Sequence, residues 1–222
     1  MKKVLAAVLI GLAVGSALFA AEGKKMEMYA KATIGYGGAA ARMSGKESAT
    51  VAGVTVSDDL KPYPYLIRGF EITPAFGFGM PFSVDQNWGA INFAVEAQLP
   101  IILGSGGYKG DFAFAIKPGA MFMANYYFPS NFPEWLQKLS PHMGTGFSIP
   151  IGALNYKYTS WYGDDDTPYE TSVAVAGAGF CWDLLMGVQF DFNEHISAVI
   201  DWNQAIGGHY AGSFRAGGIW RF

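Results

Sequence analysis

The sequence predicts an all-β protein, an eight-stranded antiparallel up-and-down transmembrane β-barrel. Three observations predict this fold class. The N-terminal segment is typical of exported proteins. The 222 residues are 51% hydrophobic but only 15% charged, whereas soluble domains carry roughly 25% charged residues. Large apolar side chains also alternate with small or polar ones along most of the chain. Aromatic residues make up 16%, a content that excludes a disordered chain.

The N-terminal segment predicts export. Two lysines precede an apolar stretch that ends in small residues, which is the pattern of a secretory signal peptide cleaved after Ala20 or Ala21. We therefore expect a signal peptide at 1–20 and a single barrel domain at 21–222. The single cysteine lies far from the cleavage site, which excludes lipoprotein processing. An uncleaved N-terminal anchor is the alternative interpretation.

The mature chain contains no uninterrupted run of about 18 apolar residues, the length that a spanning helix needs. Eight runs instead alternate with a period of two, which places each apolar set on one face of a strand. The opposite face is rich in glycine and alanine, as a narrow barrel interior requires, so we assign the bulky face to lipid. A soluble eight-stranded binding barrel is the alternative. The runs are 26–38, 70–79, 91–99, 112–122, 143–152, 180–192, 196–203 and 214–222.

The connections alternate in length, as expected for a barrel whose chain ends are both periplasmic. Expected outer loops are 39–66, 104–110 and 158–171, and expected inner turns are 81–87 and 193–195. The inner connection 128–141 is the exception in length. It predicts one or two helical turns with Pro133 as the first helical residue. We expect this helix either to form an interfacial foot on the membrane or to pack on the barrel end.

The last strand carries the most specific motif. Arg215 is followed by Gly217, and aromatic residues occupy the third-last and last positions, Trp220 and Phe222. This pattern resembles the terminal assembly signal of bacterial outer-membrane barrels. The resemblance implies that the barrel-assembly machinery reads this strand and that the protein lies in the cell outer membrane. We expect the two aromatic rings to lie in the periplasmic aromatic girdle.

Two further segments carry a family resemblance. Residues 140–146, Ser-Pro-His-Met-Gly-Thr-Gly, and residues 187–192, followed by Asn193 and Glu194, are similar to segments of small eight-stranded barrels of the OmpW, OmpA-like and OmpX-like groups. His142 stands where an aromatic residue is usual. An OmpW-like assignment implies passage of small, hydrophobic molecules, in some members through a lateral opening in the wall.

Two prolines are candidates for such a lateral gate. Pro74 and Pro118 lie on the apolar faces of predicted strands, where each removes a ladder donor and opens the pairing locally. A strand irregularity without function is the alternative.

Seven charged side chains are expected to face the lumen. Charges in so narrow a space must pair or meet water, because unpaired burial is costly. We therefore expect a salt-bridged plug and a barrel closed at rest, with a selective polar constriction in a small pore as the alternative. The seven are Lys31, Glu71, Glu96, Lys117, Asp183, Asp201 and Arg215.

We identify no catalytic, metal or cofactor signature. The three histidines lie in separate segments, and the glycine-rich 104–110 lacks the Ser or Thr and the helix of a phosphate loop. The acidic run 164–166 is either a solvated loop or a divalent-cation site. His209 and Ser213 are loosely similar to residues of lipid-modifying barrel enzymes, which is a weak alternative. The net charge of −3 argues against nucleic acid as a partner.

Two functional hypotheses remain. The first is an OmpW-like, porin-like channel for small, hydrophobic solutes. The second is a closed structural or adhesive barrel that contacts host or envelope surface partners through its outer loops. Both place the chain in outer-membrane lipid.

Overall fold

The alternation of the sequence produces β-strands along most of the chain. A computed structural model describes residues 27–51, 54–85, 88–107, 111–162, 167–206 and 211–222. Within these residues no helix is long and apolar enough to cross a membrane. The elements are β1 (Glu27–Val51), β2 (Val54–Asp85), β3 (Gly89–Gln98), β4 (Ile101–Ser105), β5 (Phe112–Ile116), β6 (Gly119–Tyr127), α1 (Glu134–Gln137), β7 (Leu139–Ser148), β8 (Ile151–Tyr162), β9 (Thr167–Ala178), β10 (Cys181–Asp191), β11 (Ile196–Ile206) and β12 (Gly212–Arg221). All strand pairs are antiparallel, and they close into a barrel.

The barrel has twelve strands, so the prediction of eight was wrong. The additional strands arise because four passages of the chain are each interrupted once, between β3 and β4, β5 and β6, β7 and β8, and β9 and β10. Three interruptions contain Pro100, Pro118 or Pro150, and proline has no N–H for the ladder. The fourth lies at Gly179 and Phe180.

The interruptions lie side by side around the wall. The carbonyl of Pro74 accepts a hydrogen bond from the N–H of Leu99 at 3.0 Å, and the carbonyls of Pro100, Pro118 and Pro150 accept from the N–H groups of Lys117, Ile149 and Gly179 at 2.8, 2.9 and 2.8 Å. We call these four prolines the proline row. Backbone hydrogen bonds therefore cross the wall at each interruption.

The proline row separates two rings of different size. On the side of the chain terminus Phe222, β1, β2, β3, β6, β7, β10, β11 and β12 form an eight-stranded ring. On the other side, β1, β2, β4, β5, β8 and β9 form a six-stranded ring. Strand β1 belongs to both, because its first half pairs with β12 and its second half pairs with β9. The barrel therefore narrows away from the chain terminus.

The two rings differ in polarity, most clearly inside the lumen. In the eight-stranded ring, outward side chains such as Ile34, Phe122 and Phe214 are apolar and exposed, while the interior holds buried charged residues beside a small apolar cluster. In the six-stranded ring the interior is apolar. Its outward side chains are polar on β1 and β9, such as Lys46 and Ser172, but apolar on β4 and β5. An exposed apolar band is typical of a surface that faces lipid, and an exposed polar surface is typical of one that faces water.

The two longest expected outer loops are strands instead. Residues 39–66 form the ends of β1 and β2, which pair almost to the tip, and most of 158–171 belongs to β8 and β9. Direct cross-strand pairing of small and β-branched residues explains both corrections. Strand β2 also continues to Asp85, into the expected inner turn 81–87.

The shorter connections agree better with expectation. The side chain of Asn193 accepts hydrogen bonds from the N–H groups of His195 and Ile196 at 2.9 and 2.8 Å, so the expected turn at 193–195 is confirmed. Helix α1 forms in the long inner connection, but Pro133 is its N-cap rather than its first residue. Strand β4 ends at Ser105, and 108–110 lie outside the described residues.

Candidate functional site

The lumen of the eight-stranded ring contains the charged residues that the alternation predicts. All seven side chains are buried, with at most 5% exposure: Lys31, Glu71, Glu96, Lys117, Asp183, Asp201 and Arg215. They come from β1, β2, β3, β10, β11 and β12 and from the β5–β6 interruption. The barrel wall thus brings together residues up to 170 positions apart in the sequence.

Asp201 on β11 lies at the centre of this cluster. One of its carboxylate oxygens is 3.2 Å from Lys31 Nζ and 3.4 Å from Arg215 Nε, and the other is 2.9 Å from His142 Nε2. Lys31 Nζ is also 2.8 Å from Glu96 Oε1. The sequence did not identify His142 as a lumen residue, although its even position matches the inward set of β7.

Arg215 extends the cluster across the lumen to β2 and β3. Its Nη1 lies 3.3 Å from Glu71 Oε1 and donates to Thr73 Oγ1 at 3.3 Å, while its Nη2 donates to Gln98 Oε1 at 2.9 Å. We call the joined residues the central network: Lys31, Glu71, Glu96, His142, Asp201 and Arg215. Five of the seven predicted charges therefore lie in one network.

The other two predicted charges form a second pair beside the proline row. Lys117 Nζ donates to Asp183 Oδ1 at 2.5 Å, and the hydroxyl of Ser148 donates to the second oxygen of the same carboxylate. Lys117 directly precedes Pro118, and its own N–H binds Pro100. A buried ion pair therefore lies at the level where the barrel narrows.

These contacts link side chains on different strands across the lumen, and not neighbours on the same strand. Each charge in the central network has an opposite partner, which offsets part of the cost of removing it from water. His142 has room because its neighbour on β10 is Gly187, where an added Cβ would lie 2.4 Å from His142 Nε2. The arrangement crosslinks β1, β2, β3, β7, β11 and β12.

Beyond the proline row, the lumen is filled by apolar side chains, which we call the apolar plug. They are fully or almost fully buried and come from all six strands of the six-stranded ring. The plug consists of Ala39, Ala41, Met43, Ile67, Ile102, Ala113, Ala115, Leu154, Val173 and Val175. Its β1 residues Ala39, Ala41 and Met43 were not predicted, because residues 39–66 were expected to form a loop.

A polar vestibule opens at the terminal end of the lumen. The space in it that water can occupy is small, about 30 Å³. Its lining includes Tyr29, Asn92, Asn125, Tyr127 and Gln189, and it reaches Lys31, Glu96 and His142 of the central network. Solvent thus has a path into one end of the lumen as far as the network.

The two candidate gate prolines are both members of the proline row. Pro74 lies inside β2, opposite Ala32 of β1, and Pro118 lies between β5 and β6. The carbonyl of each proline is hydrogen-bonded to the neighbouring strand. The wall is therefore paired at both positions through the proline carbonyl, although the proline N–H is missing.

The proposed assembly motif combines a lumen residue with exposed residues on the outer face. Arg215 faces the lumen, whereas Trp220 and Phe222 are exposed on the outer face and stack with ring centroids 6.2 Å apart. At Gly217, an added Cβ would lie 2.0 Å from the carbonyl oxygen of Ala32, so only glycine permits this close approach of β12 to β1.

Several expectations fall outside the described residues, namely the signal peptide at 1–20, the acidic run 164–166 and His209. Across the residues that the structure describes, no group of three or more His, Cys, Asp or Glu side chains is arranged to hold a metal ion.

No protein-family model and no curated protein sequence matches the chain. Among solved structures, it is similar to Neisserial surface protein A (NspA), with 12% identity, a TM-score of 0.46 and coverage of 90% of this chain and 100% of that chain. It is also similar to Ail, the attachment invasion locus protein of Yersinia pestis, in complex with the heparin analogue sucrose octasulfate, with 10% identity, a TM-score of 0.43 and coverage of 88% and 99%. NspA and Ail are outer-membrane β-barrels. The translocator domain of the autotransporter NalP from Neisseria meningitidis follows, with 13% identity, a TM-score of 0.23 and coverage of 98% of each chain. Similarity at these levels assigns the chain to no family.

Proposed function

We propose that the chain is a closed outer-membrane β-barrel that presents its β1–β2 and β8–β9 hairpins as a contact surface for host or envelope partners. The observation that carries this proposal is the filling of the lumen at two successive levels. The central network occupies the eight-stranded ring, and the apolar plug occupies the six-stranded ring. A solute would have to displace both.

The surface of the eight-stranded ring supports placement in lipid. Its outward side chains are large and apolar on neighbouring strands, for example Phe93 on β3 and Phe122 on β6, whose rings stack 5.7 Å apart. In lipid every backbone polar group must find an internal partner, and a closed barrel meets this requirement. Outer-membrane lipid and the barrel-assembly machinery are the partners that this placement implies.

The outer surface of the long hairpins supports their projection into water. The outward residues Ser44, Lys46, Asn155 and Ser172 on β1, β8 and β9 are polar or charged and exposed, and Lys157 forms a surface ion pair with Glu170 at 2.6 Å. The outward side chains of β4 and β5 are instead apolar and exposed, so the apolar outer surface continues onto that part of the six-stranded ring. With the chain terminus in the periplasm, the hairpins lie on the cell surface above the apolar plug.

The hairpins extend beyond β4 and β5 as one four-stranded sheet in the order β2, β1, β9, β8. This sheet carries tyrosines suited to a contact surface. Tyr63 is 63% exposed, and its ring lies 5.6 Å from that of Tyr65. Tyr156 and Tyr158 on β8 are stacked at 6.2 Å, and the Tyr158 hydroxyl donates to Glu47 on β1. Such rings offer large apolar contacts with a polar tip at low entropic cost.

A hairpin-replacement experiment tests the surface role. Bacteria that produce the full chain are compared with bacteria in which residues 46–59 are replaced by a two-residue turn, in adhesion to cultured epithelial monolayers. We expect adhesion to fall in the variant while the amount of folded barrel is unchanged. A matched variant with a shortened inner connection, 129–137, should adhere normally. Equal adhesion by both variants and by cells without the protein would contradict the surface role.

An OmpW-like channel for small, hydrophobic solutes is the second candidate. The polar vestibule favours it, because it gives solvent a path into one end of the lumen. Passage further along the lumen would require the central network and the apolar plug to rearrange, or the wall to open at Pro74 or Pro118. Solute flux distinguishes the two candidates. Neither candidate assigns the protein a catalytic activity or a cofactor.

A further inference from the structure

We propose that residues 128–138, between β6 and β7, form an interfacial foot whose aromatic rings lie in the lipid head-group region at the terminal end of the barrel. We call this segment the foot. The inference rests on the proposed placement of the eight-stranded ring in lipid. The foot would then contact the membrane although it is not part of a strand. Its aromatic and charged side chains suit the boundary between the head groups and the acyl chains of one leaflet.

A chain of ring contacts connects the foot to the lipid-facing wall. On β6, Met121 and Met123 face the lumen, so Phe122 and Tyr126 lie on the outward face. The ring of Tyr126 meets that of Phe128 edge-on at 5.2 Å, and Phe128 contacts Phe132 at 5.6 Å. The aromatic surface therefore continues from the lipid-facing strand onto the foot without interruption.

The short helix α1 separates aromatic from charged side chains. Trp135 is 61% exposed and Phe132 is 41% exposed. Glu134 and Lys138, one turn apart, form an ion pair at 2.8 Å, and Lys138 also lines the open mouth of the barrel together with Glu27 and Asp191. The hydrogen bond and the positive charge of Lys138 lower the pKa of Glu134, so this carboxyl group is charged at neutral pH. The charged side of the foot thus faces the aqueous mouth.

Hydrogen bonds hold the foot in this shape. The side-chain amide of Gln137 donates to the carbonyls of Ser130 and Phe132 at 3.1 and 2.7 Å, and the N–H of Phe132 donates to the carbonyl of Pro129 at 3.0 Å. The rings are therefore positioned before any contact with lipid, which lowers the entropic cost of that contact.

The foot lies at the edge where other large aromatic side chains are exposed. The Tyr126 hydroxyl donates to the carbonyl of Trp88, which is itself exposed, and Phe192, Trp220 and Phe222 are exposed at the ends of β10 and β12. Tryptophan and tyrosine favour the membrane–water interface because their rings are apolar and their tips are polar. A segment that exposes aromatic rings next to charged side chains is suited to that interface.

Depth-dependent fluorescence quenching tests the proposal. The chain contains six tryptophans. Two single-tryptophan variants of residues 21–222, retaining Trp135 or Trp202, are refolded into phosphatidylcholine vesicles brominated either near the glycerol end or near the methyl end of the acyl chains. Heat modifiability establishes that each variant is folded. Trp202 lies on the outward face of β11 and reports whether the barrel itself is in lipid.

We expect Trp135 to be quenched, and more strongly by bromine near the glycerol end than near the methyl end. In the same background, Phe132→Ser should weaken the quenching of Trp135, whereas Asn131→Ser should not. Quenching of Trp202 without quenching of Trp135 would overturn the foot and leave the membrane barrel intact. Absence of quenching for both residues would overturn the membrane placement, and the foot with it.

Discussion

Replacing Arg215 with methionine tests whether the central network holds the barrel together. The guanidinium contacts Asp201 and Glu71 at 3.4 and 3.3 Å and also binds Gln98 at 2.9 Å, and the side chain is 1% exposed. Arg215→Met leaves Lys31 as the one lysine or arginine in a network with three carboxylates. Removing one partner of a buried ion pair costs about 3–5 kcal/mol, because the remaining charge stays buried. We expect a loss of this size in the free energy of unfolding.

The matched control removes an acidic partner instead. Asp201→Asn leaves Lys31 with Glu96 and Arg215 with Glu71, two cations facing two carboxylates. The ion pairs of Asp201 are lost, but each remaining cation keeps a carboxylate partner, so the expected cost is smaller, about 1–3 kcal/mol. The contacts therefore predict that Arg215→Met lowers the free energy of unfolding more than Asp201→Asn does, whatever the absolute values are.

Urea unfolding of the barrel refolded in phosphatidylcholine vesicles, followed by tryptophan fluorescence, measures both variants. Refolding in vitro avoids the assembly machinery, which the sequence predicts to read Arg215. In the double variant Arg215→Met/Glu71→Gln we expect part of the stability to return, since one unpaired carboxylate is removed, with a coupling of about 0.5–3 kcal/mol. If Arg215→Met costs less than about 1 kcal/mol, or costs less than Asp201→Asn, the electrostatic account of the lumen is refuted.

Two further predictions concern the plug and the barrel seam. Leu154→Ala, at a plug position with 0% exposure, should cost about 2–5 kcal/mol in urea unfolding. The neighbouring outward Asn155→Ala should change stability by less than about 0.5 kcal/mol, and equal effects at the two positions would contradict an apolar core there. Gly217→Val should abolish the heat-modifiable folded band, because an added Cβ would lie 2.0 Å from a backbone oxygen of β1. Gly218→Ala should fold normally, since the nearest atom to its Cβ lies 3.7 Å away, and a normally folded Gly217→Val would show that the seam tolerates a side chain.

The alternation of the sequence predicts which side chains share a face, and it predicts the lumen charges for that reason. Lys31 and Thr33 of β1 are in phase with Ala39, Ala41 and Met43, and all five face the interior. The same phase continues across the strand interruptions, from Gln98 to Ile102 and from Ser148 to Leu154. Continuing the phase of β1 past residue 38 would have identified its contribution to the plug, Ala39, Ala41 and Met43.

The rest of the fold was harder to predict because alternation does not say which face is inside. Along β1 beyond the proline row the inside becomes apolar and the outside polar, as at Met43 and Lys46, so the same pattern was interpreted as a loop in 39–66. The change in ring size was also inaccessible from local sequence. It depends on β1 pairing with both β12 and β9, a contact between residues more than a hundred positions apart.

The sequence contains further signals for two features. Pro100 and Pro150, like the gate candidate Pro118, each mark one of the four interruptions, and a proline inside a predicted strand argues for a break. His142 occupies an inward position of β7 by parity, next to a glycine on β10 that makes room for its ring.

Solute flux is the most direct test of a closed lumen. Residues 21–222 are refolded into liposomes, the folded barrel is verified by heat modifiability, and the entry of small polar and small apolar solutes is compared with that into protein-free liposomes. The filling of the lumen by the central network and the apolar plug predicts no flux above the protein-free rate for either class. Flux of either class through the folded barrel, changed by replacing Pro74 or Pro118, would contradict the closed barrel and establish a channel.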